Sequence, residues 1–244
     1  MGYTYFGDLL GISSCYKLNP ERAYKRLDKF YNITFDCLGS YCKSHNEVKV
    51  QLFSDSLLIW GDNKGEILRK LQSLYLKLIY EGILLRGAIV EDKIEQDPRF
   101  ELKNLTKMLS INDALARAVG LEKTQKGARL LIEHSFMEDL PNFPSDWVTH
   151  EGYLNNIEPN RPIDDLFRRI SPTPDNKTYE LLYFWLPRYD EDLDMNHSLN
   201  TIKDKLNELS SIYTDEIAAH HKETLRLFRL CERRKNYTER TIAI

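Results

Sequence analysis

Hydrophobic and polar positions along this chain switch between a period near two and a period near 3.6, and the switches mark out its elements. Tyr3-Thr4-Tyr5-Phe6-Gly7-Asp8-Leu9-Leu10 is aromatic and aliphatic with small interruptions and runs into Gly11, the pattern of a buried strand that ends at a turn. Asn19-Pro20 supplies an N-cap and a first helical residue, and Ala23, Leu27, Phe30, Tyr31 and Leu38 then recur at helical spacing. Val48, Val50, Leu52 and Phe53, followed by Leu57, Leu58, Ile59 and Trp60, are two strand-like runs broken by Ser54-Asp55-Ser56, so a hairpin with an acid at its tip is expected. Asp62 and Asn63 can cap a helix whose apolar face is Ile67, Leu68, Leu71, Leu74, Tyr75, Leu78 and Ile79, ended by Gly82. Ile83 to Val90 reads as a further strand, Asn112 to Glu122 as a helix and Ala128 to Ile132 as a strand.

The order β-α-β-β-α-β predicts an α+β fold of the split βαβ, ferredoxin-like kind, with helices over one face of an antiparallel sheet. From Pro141 to Pro174 the chain is rich in Pro, Asn and Asp and reads as irregular connections wrapped on the core. Tyr179 to Leu186 is a strand candidate, and Leu199 to Arg234 reads as one or two amphipathic helices. One domain spanning 1–244 is expected: a core over 1–140, then an irregular wrap and a C-terminal strand and helix annex over 141–244. No internal repeat is visible.

Composition narrows the partners. The 244 residues carry 34 Lys+Arg against 37 Asp+Glu, a formal charge of −3, which gives no general field for holding a nucleic acid. No run approaches the roughly 20 apolar residues of a membrane helix, and Met1 to Ser13 lacks a signal-peptide pattern, so a cytoplasmic protein with no membrane partner is expected. Cys15, Cys37, Cys42 and Cys231 form no CxxC pair and read as buried thiols.

Two acids stand at adjoining strand ends, Asp8 before a glycine turn and Asp55 at the hairpin tip, and the topology lets them converge. Two carboxylates forced together repel unless a cation lies between them, and hard divalent ions prefer carboxylate oxygen. Backbone N–H groups of the Leu10-Gly11-Ile12-Ser13-Ser14 loop could hold the outer phosphates of a nucleotide, and Arg86 adds a fixed positive charge. Phosphoryl transfer needs mostly positioning and charge neutralisation, so this set suits magnesium with the phosphates of a nucleotide.

The blocks Phe6-Gly7-Asp8-Leu9-Leu10-Gly11-Ile12-Ser13, Leu52-Phe53-Ser54-Asp55-Ser56 and Leu85-Arg86-Gly87-Ala88-Ile89 resemble motifs of class III nucleotidyl cyclases. With Ala114-Leu115-Ala116-Arg117-Ala118-Val119-Gly120-Leu121-Glu122 they are most similar to bacterial Pycsar pyrimidine cyclases, which make cyclic UMP or cyclic CMP in anti-phage defence. The resemblance covers roughly residues 3 to 133 and implies a palm core of the cyclase type. It implies that Asp8, Asp55 and the Leu9 carbonyl hold two Mg²⁺ or Mn²⁺ ions, that Gly11, Ile12, Ser13 and Arg86 contact the triphosphate, and that a 3′-hydroxyl attacks its own α-phosphate to expel pyrophosphate. It further implies a homodimer with sites shared between copies and UTP or CTP as substrate. Purine cyclases carry Lys or Glu where this chain has Gln51, whose amide both donates and accepts and would read the base. Their Asn-x-x-x-Arg is matched by Asp113-x-x-x-Arg117, making Arg117 the candidate catalytic arginine. The alternatives are a purine or diguanylate cyclase of the same fold, or an inactive cyclase-homology module that dimerises or senses nucleotide.

Other patterns carry less. Asp190-x-Asp192-x-Asp194 has Met195 and Thr201 where a calcium loop needs Gly and Glu. Glu216 and His220 read as a surface pair at helical spacing, His220-His221 as without a role, and Arg233-Arg234-Lys235 as a basic last turn that complements a helix dipole.

Overall fold

The computed structural model describes residues 2–95, 110–138, 167–170, 178–181, 183–184, 195–212 and 216–242. Strand β1 (Tyr3–Leu9) leads through the short helix α1 (Ile12–Leu18) and the long helix α2 (Pro20–Ser44) to the hairpin of β2 (Lys49–Phe53) and β3 (Ser56–Gly61). Then come α3 (Lys64–Tyr80), β4 (Leu85–Glu91), α4 (Ala114–Glu122), β5 (Leu130–Glu133) and α5 (His134–Glu138). Strands β6 (Phe167–Arg169) and β7 (Thr178–Leu181) and helices α6 (Met195–Ile212) and α7 (Glu216–Ile242) follow.

The expected punctuation is present. Asn19 Oδ1 accepts from the Arg22 N–H at 2.9 Å with Pro20 in the first turn of α2, and Asn63 Oδ1 accepts from the Glu66 N–H at 3.2 Å to open α3. Gly82, at φ 72°, turns the chain out of α3. Residues 12 and 13, expected in a loop, instead begin α1. Phe167–Arg169 forms a strand inside the stretch read as irregular, because β7 offers it a pairing edge. Residues 141–166 and 171–174, like Asp190, Asp192 and Asp194, lie outside the described residues.

The sheet has seven strands in the order β2-β3-β1-β4-β5-β7-β6. β1 is antiparallel to both β3 and β4, while β4 and β5 run parallel, so the sheet is mixed where an antiparallel one was expected. Side chains alternate across it. Tyr3, Tyr5 and Leu9 enter the main core with Phe30 and Leu38 of α2, Leu71 and Tyr75 of α3, Leu206 of α6 and Phe228 of α7. Phe6 points the other way and joins Val90, Ala114, Ala118 and Leu121. Helix α4 therefore covers the second face, a departure from the expected single helical layer: its alanines let it approach the sheet closely.

Gly7 and Gly87 face each other in register. A Cβ on either would overlap the Tyr5 side chain, so both glycines exist to let that ring lie across two strands. Tyr5 then donates to Tyr75 Oη at 3.1 Å, and Tyr75 donates to the Arg129 carbonyl at 3.1 Å. Burial of these phenols is thereby matched by hydrogen bonds.

Helix α7 docks through polar groups as well as through Leu225 and Phe228. His220 Nδ1 accepts from the Gly127 N–H at 3.0 Å, and Thr224 Oγ1 accepts from the Ala128 N–H at 2.8 Å. Arg129, nearly fully buried, pairs with Glu180 and, at 3.0 Å, with Glu223. His220 thus has a structural role, where the sequence left the His220-His221 pair without one, and α7 continues to Ile242, two turns beyond the basic run at 233–235. Cys37 and Cys231 are buried thiols, whereas Cys15 and Cys42 are half-buried.

His221 is buried, and desolvation, aided by Arg26 and His220, pushes its imidazole down to about 4. Between that value and about 6.5 the unfolded chain binds the proton and the folded chain does not, so stability falls as pH falls through this window. The expected loss is about 3 kcal/mol. Urea unfolding at stepped pH checks it, and His221→Leu is expected to flatten the slope.

Candidate active site

The carboxyl end of β1 is where the predicted residues gather. Register places Phe53, Ser56, Asp8 and Arg86 on one rung across β2, β3, β1 and β4, and Gln51, Leu58, Phe6 and Ala88 on the next rung of the same face. Two residues of strand separate the rungs by about 7 Å. Asp8 and Gln51 therefore share the face that α4 partly covers.

The hairpin turn comprises Ser54 and Asp55 only, with Ser56 already in β3. Ser54 takes φ 54°, the left-handed region that costs a non-glycine residue about 1–2 kcal/mol. Tertiary structure holds it there: the Asp55 carbonyl accepts the Leu9 N–H at 2.9 Å, tying the hairpin tip to the end of β1. Asp8 and Asp55 are thus brought to one place. Ser56 Oγ donates to Asp8 Oδ1 at 2.9 Å. Burial pushes the Asp8 carboxyl above the usual carboxylate range; the Ser56 hydrogen bond pulls it back, the Asp55 charge pushes further up, and Arg86 and Lys123 oppose. A cation beside both acids would relieve both the desolvation and the repulsion. Among the described residues no group of three or more His, Cys, Asp or Glu gathers that could hold a metal, so any ion here would rest on this pair together with backbone oxygen, of which the Leu9 carbonyl is the candidate.

Gly11, at φ 80°, sits in the left-handed region before α1, where no side chain caps the helix. Helix α7 stands beside it, with Ile217 Cδ1 3.5 Å from where a Cβ on Gly11 would be. The Leu10 N–H donates to the Leu84 carbonyl at 2.9 Å, which fixes this turn to the start of β4.

Arg86 lies on Asp8's rung, but its Nε donates to Glu122, an almost fully buried carboxylate at the end of α4. Burial pushes Glu122 up and Arg86 pulls it down. Arg86 is therefore a shared counter-charge for Asp8 and Glu122. Glu122 had no assigned role in the sequence, yet an acid ending the otherwise apolar Ala-Val-Gly-Leu run was the available signal.

Arg117 is placed elsewhere. It contacts Glu133, Asp113 Oδ1 at 3.0 Å, Asp92 Oδ2 at 3.0 Å and the Glu91 carbonyl at 3.0 Å. Glu91 is five β4 residues from Arg86, about 17 Å along the strand. The structure does not bring Arg117 to Asp8 within one chain.

No family model and no curated protein sequence matches the chain. Solved structures do. A Trypanosoma brucei adenylate cyclase structure in its monomeric state aligns at TM-score 0.53 and 14% identity, covering 78% of this chain and 90% of its own. The dimeric guanylyl cyclase domain of the RhoGC fusion protein from Blastocladiella emersonii aligns at 0.53 and 12%, covering 74% and 95%. The chain has the class III nucleotidyl cyclase fold. A third cyclase structure, the guanylate cyclase domain of RhGC from Catenaria anguillulae in complex with GTP, aligns at 0.51 and 12%, covering 74% and 94%. In this cyclase fold the mixed sheet and the helical pair α6 and α7 are accounted for together. Among the described residues no helix is long and apolar enough to cross a membrane.

Two outcomes follow from the charges. Because the ionised form of Asp8 is disfavoured in the folded protein, Asp8→Asn is expected to raise the urea midpoint of the metal-free protein at pH 7. Arg86→Ala leaves Glu122 buried without its counter-charge and is expected to cost about 3–5 kcal/mol, whereas the double change Arg86→Leu, Glu122→Leu recovers most of it, by the same unfolding measurement.

Proposed function

We propose that the protein is a metal-dependent nucleotide cyclase that converts a nucleoside triphosphate to its 3′,5′-cyclic monophosphate and pyrophosphate. The observation that carries this reading is the meeting of Asp8 and Asp55, held by the Leu9 N–H on the Asp55 carbonyl, on a cyclase fold. Asp8, Asp55 and the Leu9 carbonyl would hold two Mg²⁺ or Mn²⁺ ions. Bound there, such ions supply charge neutralisation for the attacking and leaving oxygens. The chain's own residues do the positioning. Ser56 orients Asp8, the Asp55 carbonyl fixes the hairpin tip, and the uncapped N–H groups of Ile12 and Ser13 after Gly11 face the outer phosphates in this reading. Against the burial that pushes the Asp8 carboxyl up, Arg86 supplies an opposing positive charge, which in this reading also lies beneath the triphosphate.

The substrate class has two readings. The solved structures that share the fold are adenylate and guanylate cyclases, one of them in complex with GTP, and this brings a purine nucleotide forward. Gln51 speaks against an ordinary purine cyclase and leaves UTP or CTP as the second reading: it lies on Asp8's face one rung along, carries neither the Lys nor the Glu of the purine enzymes, and its amide is not committed to one base. On that second reading the product is a second messenger in anti-phage defence, as the sequence blocks imply. A homodimer with shared sites also belongs to the proposal. It is supported by the placement of Arg117, which a single chain holds away from Asp8, and by Phe53, 42% exposed at the hairpin beside Asp55. The four internal contacts of Arg117 must then loosen in the dimer.

Incubating the protein with Mn²⁺ and each of the four nucleoside triphosphates, then separating the products, tests activity and base together. One cyclic product and pyrophosphate are expected, from a species of twice the chain mass. Asp55→Ala is expected to lower turnover by at least about 100-fold and to abolish the rise in thermal midpoint that Mn²⁺ gives the parent. Absence of cyclic product from all four would favour the inactive module.

A further inference from the structure

The described surface carries a second concentration of charge, away from the carboxylate end of β1. Along α2, Arg22, Lys25, Arg26 and Lys29 recur at i, i+3, i+4 and i+7, which places four cations on one helix face. That face forms one wall of a cavity of about 220 Å³. The turn from α3 to β4, with Glu81 and Gly82, forms a second wall, and α6 closes it with Lys205 and Glu208.

Internal pairing leaves the cavity positive. Lys29 pairs with Glu81, and Lys205 with Glu208 at 3.2 Å. Arg26 donates to the Gly82 carbonyl at 2.7 Å, a neutral acceptor that leaves its charge uncompensated. The partner of Lys25 is Glu21, at 2.7 Å on the solvent side, with both side chains largely exposed, so the attraction is screened. Among the described residues Arg22 has no ion-pair partner. Five cations therefore line the cavity against two carboxylates, in a chain whose overall charge is −3.

This arrangement works against the helix that carries it. Arg22 with Arg26, and Lys25 with Lys29, are like charges at i, i+4, and Arg22 lies in the first turn of α2, at the positive end of its macrodipole. An anion seated in the cavity turns both penalties into attractions. Guanidinium forks on Arg22 and Arg26 suit phosphoryl oxygens, and the lysines add point charges around them.

We propose that this cavity binds a compact multivalent phosphate anion, of the pyrophosphate or tripolyphosphate kind, either free or as the polyphosphate tail of a nucleotide. Its size suits a few linked phosphates. It is separate from the carboxylate pair: α2, α3 and α6 pack on the main-core side of the sheet, whereas Asp8 faces α4.

Calorimetric titration of the full chain in EDTA isolates this cavity from any metal-dependent binding at Asp8 and Asp55, so the result stands whether or not the cyclase reading does. Pyrophosphate and tripolyphosphate are expected to bind one per chain, orthophosphate about tenfold or more weakly, with affinity falling as salt rises. A nucleoside triphosphate that binds more tightly than tripolyphosphate assigns the nucleotide source, and equal affinity assigns the free polyphosphate. Arg22→Gln with Lys205→Gln is expected to weaken tripolyphosphate binding about tenfold or more. Lys43→Gln, roughly 25 Å along the same helix, is expected to leave it unchanged. Acetylation footprinting of the parent needs no variant: tripolyphosphate should protect Lys25, Lys29 and Lys205 and spare Lys43. Equal weak binding in parent and double variant, uniform lysine protection, or tighter binding of a single-stranded oligonucleotide than of tripolyphosphate overturns the proposal.

Discussion

The alternation of β1 between two buried neighbours is the constraint on which the rest of this structure depends. Because β1 is hydrogen-bonded to β3 on one side and β4 on the other, a one-residue slip would turn every side chain to the opposite face. Tyr3, Tyr5 and Leu9 would leave the main core and Asp8 would enter it. The Tyr5 ring locks the register from both sides, since it lies across the two glycines that pair opposite each other. The position of the carboxylate at the strand end is thus set by apolar and aromatic packing several residues away.

That same packing decides which charges can remain. Asp8, Arg86 and Glu122 share a half-buried strip between the sheet and α4, where water is largely replaced by alanine and leucine side chains. One arginine faces two carboxylates, with Asp55 close enough to push Asp8 further up. A strip designed for stability alone would be apolar, because buried ion pairs seldom exceed the cost of their desolvation. Retaining an excess of acid at the strand end makes chemical sense when a divalent cation is the missing counter-charge.

Much of this was legible in the sequence because local signals and tertiary structure agreed. Asn19-Pro20 and Asn63 cap the helices they precede, Gly82 ends α3, and the alternation of β1 assigns its faces. The hairpin tip was legible as turn chemistry, and the topology implied that its acid would meet Asp8. What escaped was set by contacts that no local pattern encodes. α1 has a weak seven-residue signal and forms where Gly11 turns the chain beside Ile217 of α7, more than 200 residues later. The side of the sheet that α4 covers depends on the match of Ala114 and Ala118 to Phe6 and Val90. Three residues at Phe167–Arg169 become a strand only because β7 presents an edge.

Arg117 carries the same lesson into the site. Its spacing from Asp113 resembles a catalytic pattern, and the spacing is real, since the two side chains are bonded at i, i+4 across the start of α4. Yet the far end of β4 supplies the Glu91 carbonyl, Asp92 in the left-handed region and Glu133 from β5, and together they satisfy the guanidinium. An antiparallel strand pair has two ends: the carboxylates occupy one and this arginine the other. For both to act on one substrate, the end of one sheet would have to be apposed to the opposite end of another, the arrangement that the proposed two-fold dimer would supply. The exchange of internal partners that this requires of Arg117 would make assembly and site completion one event.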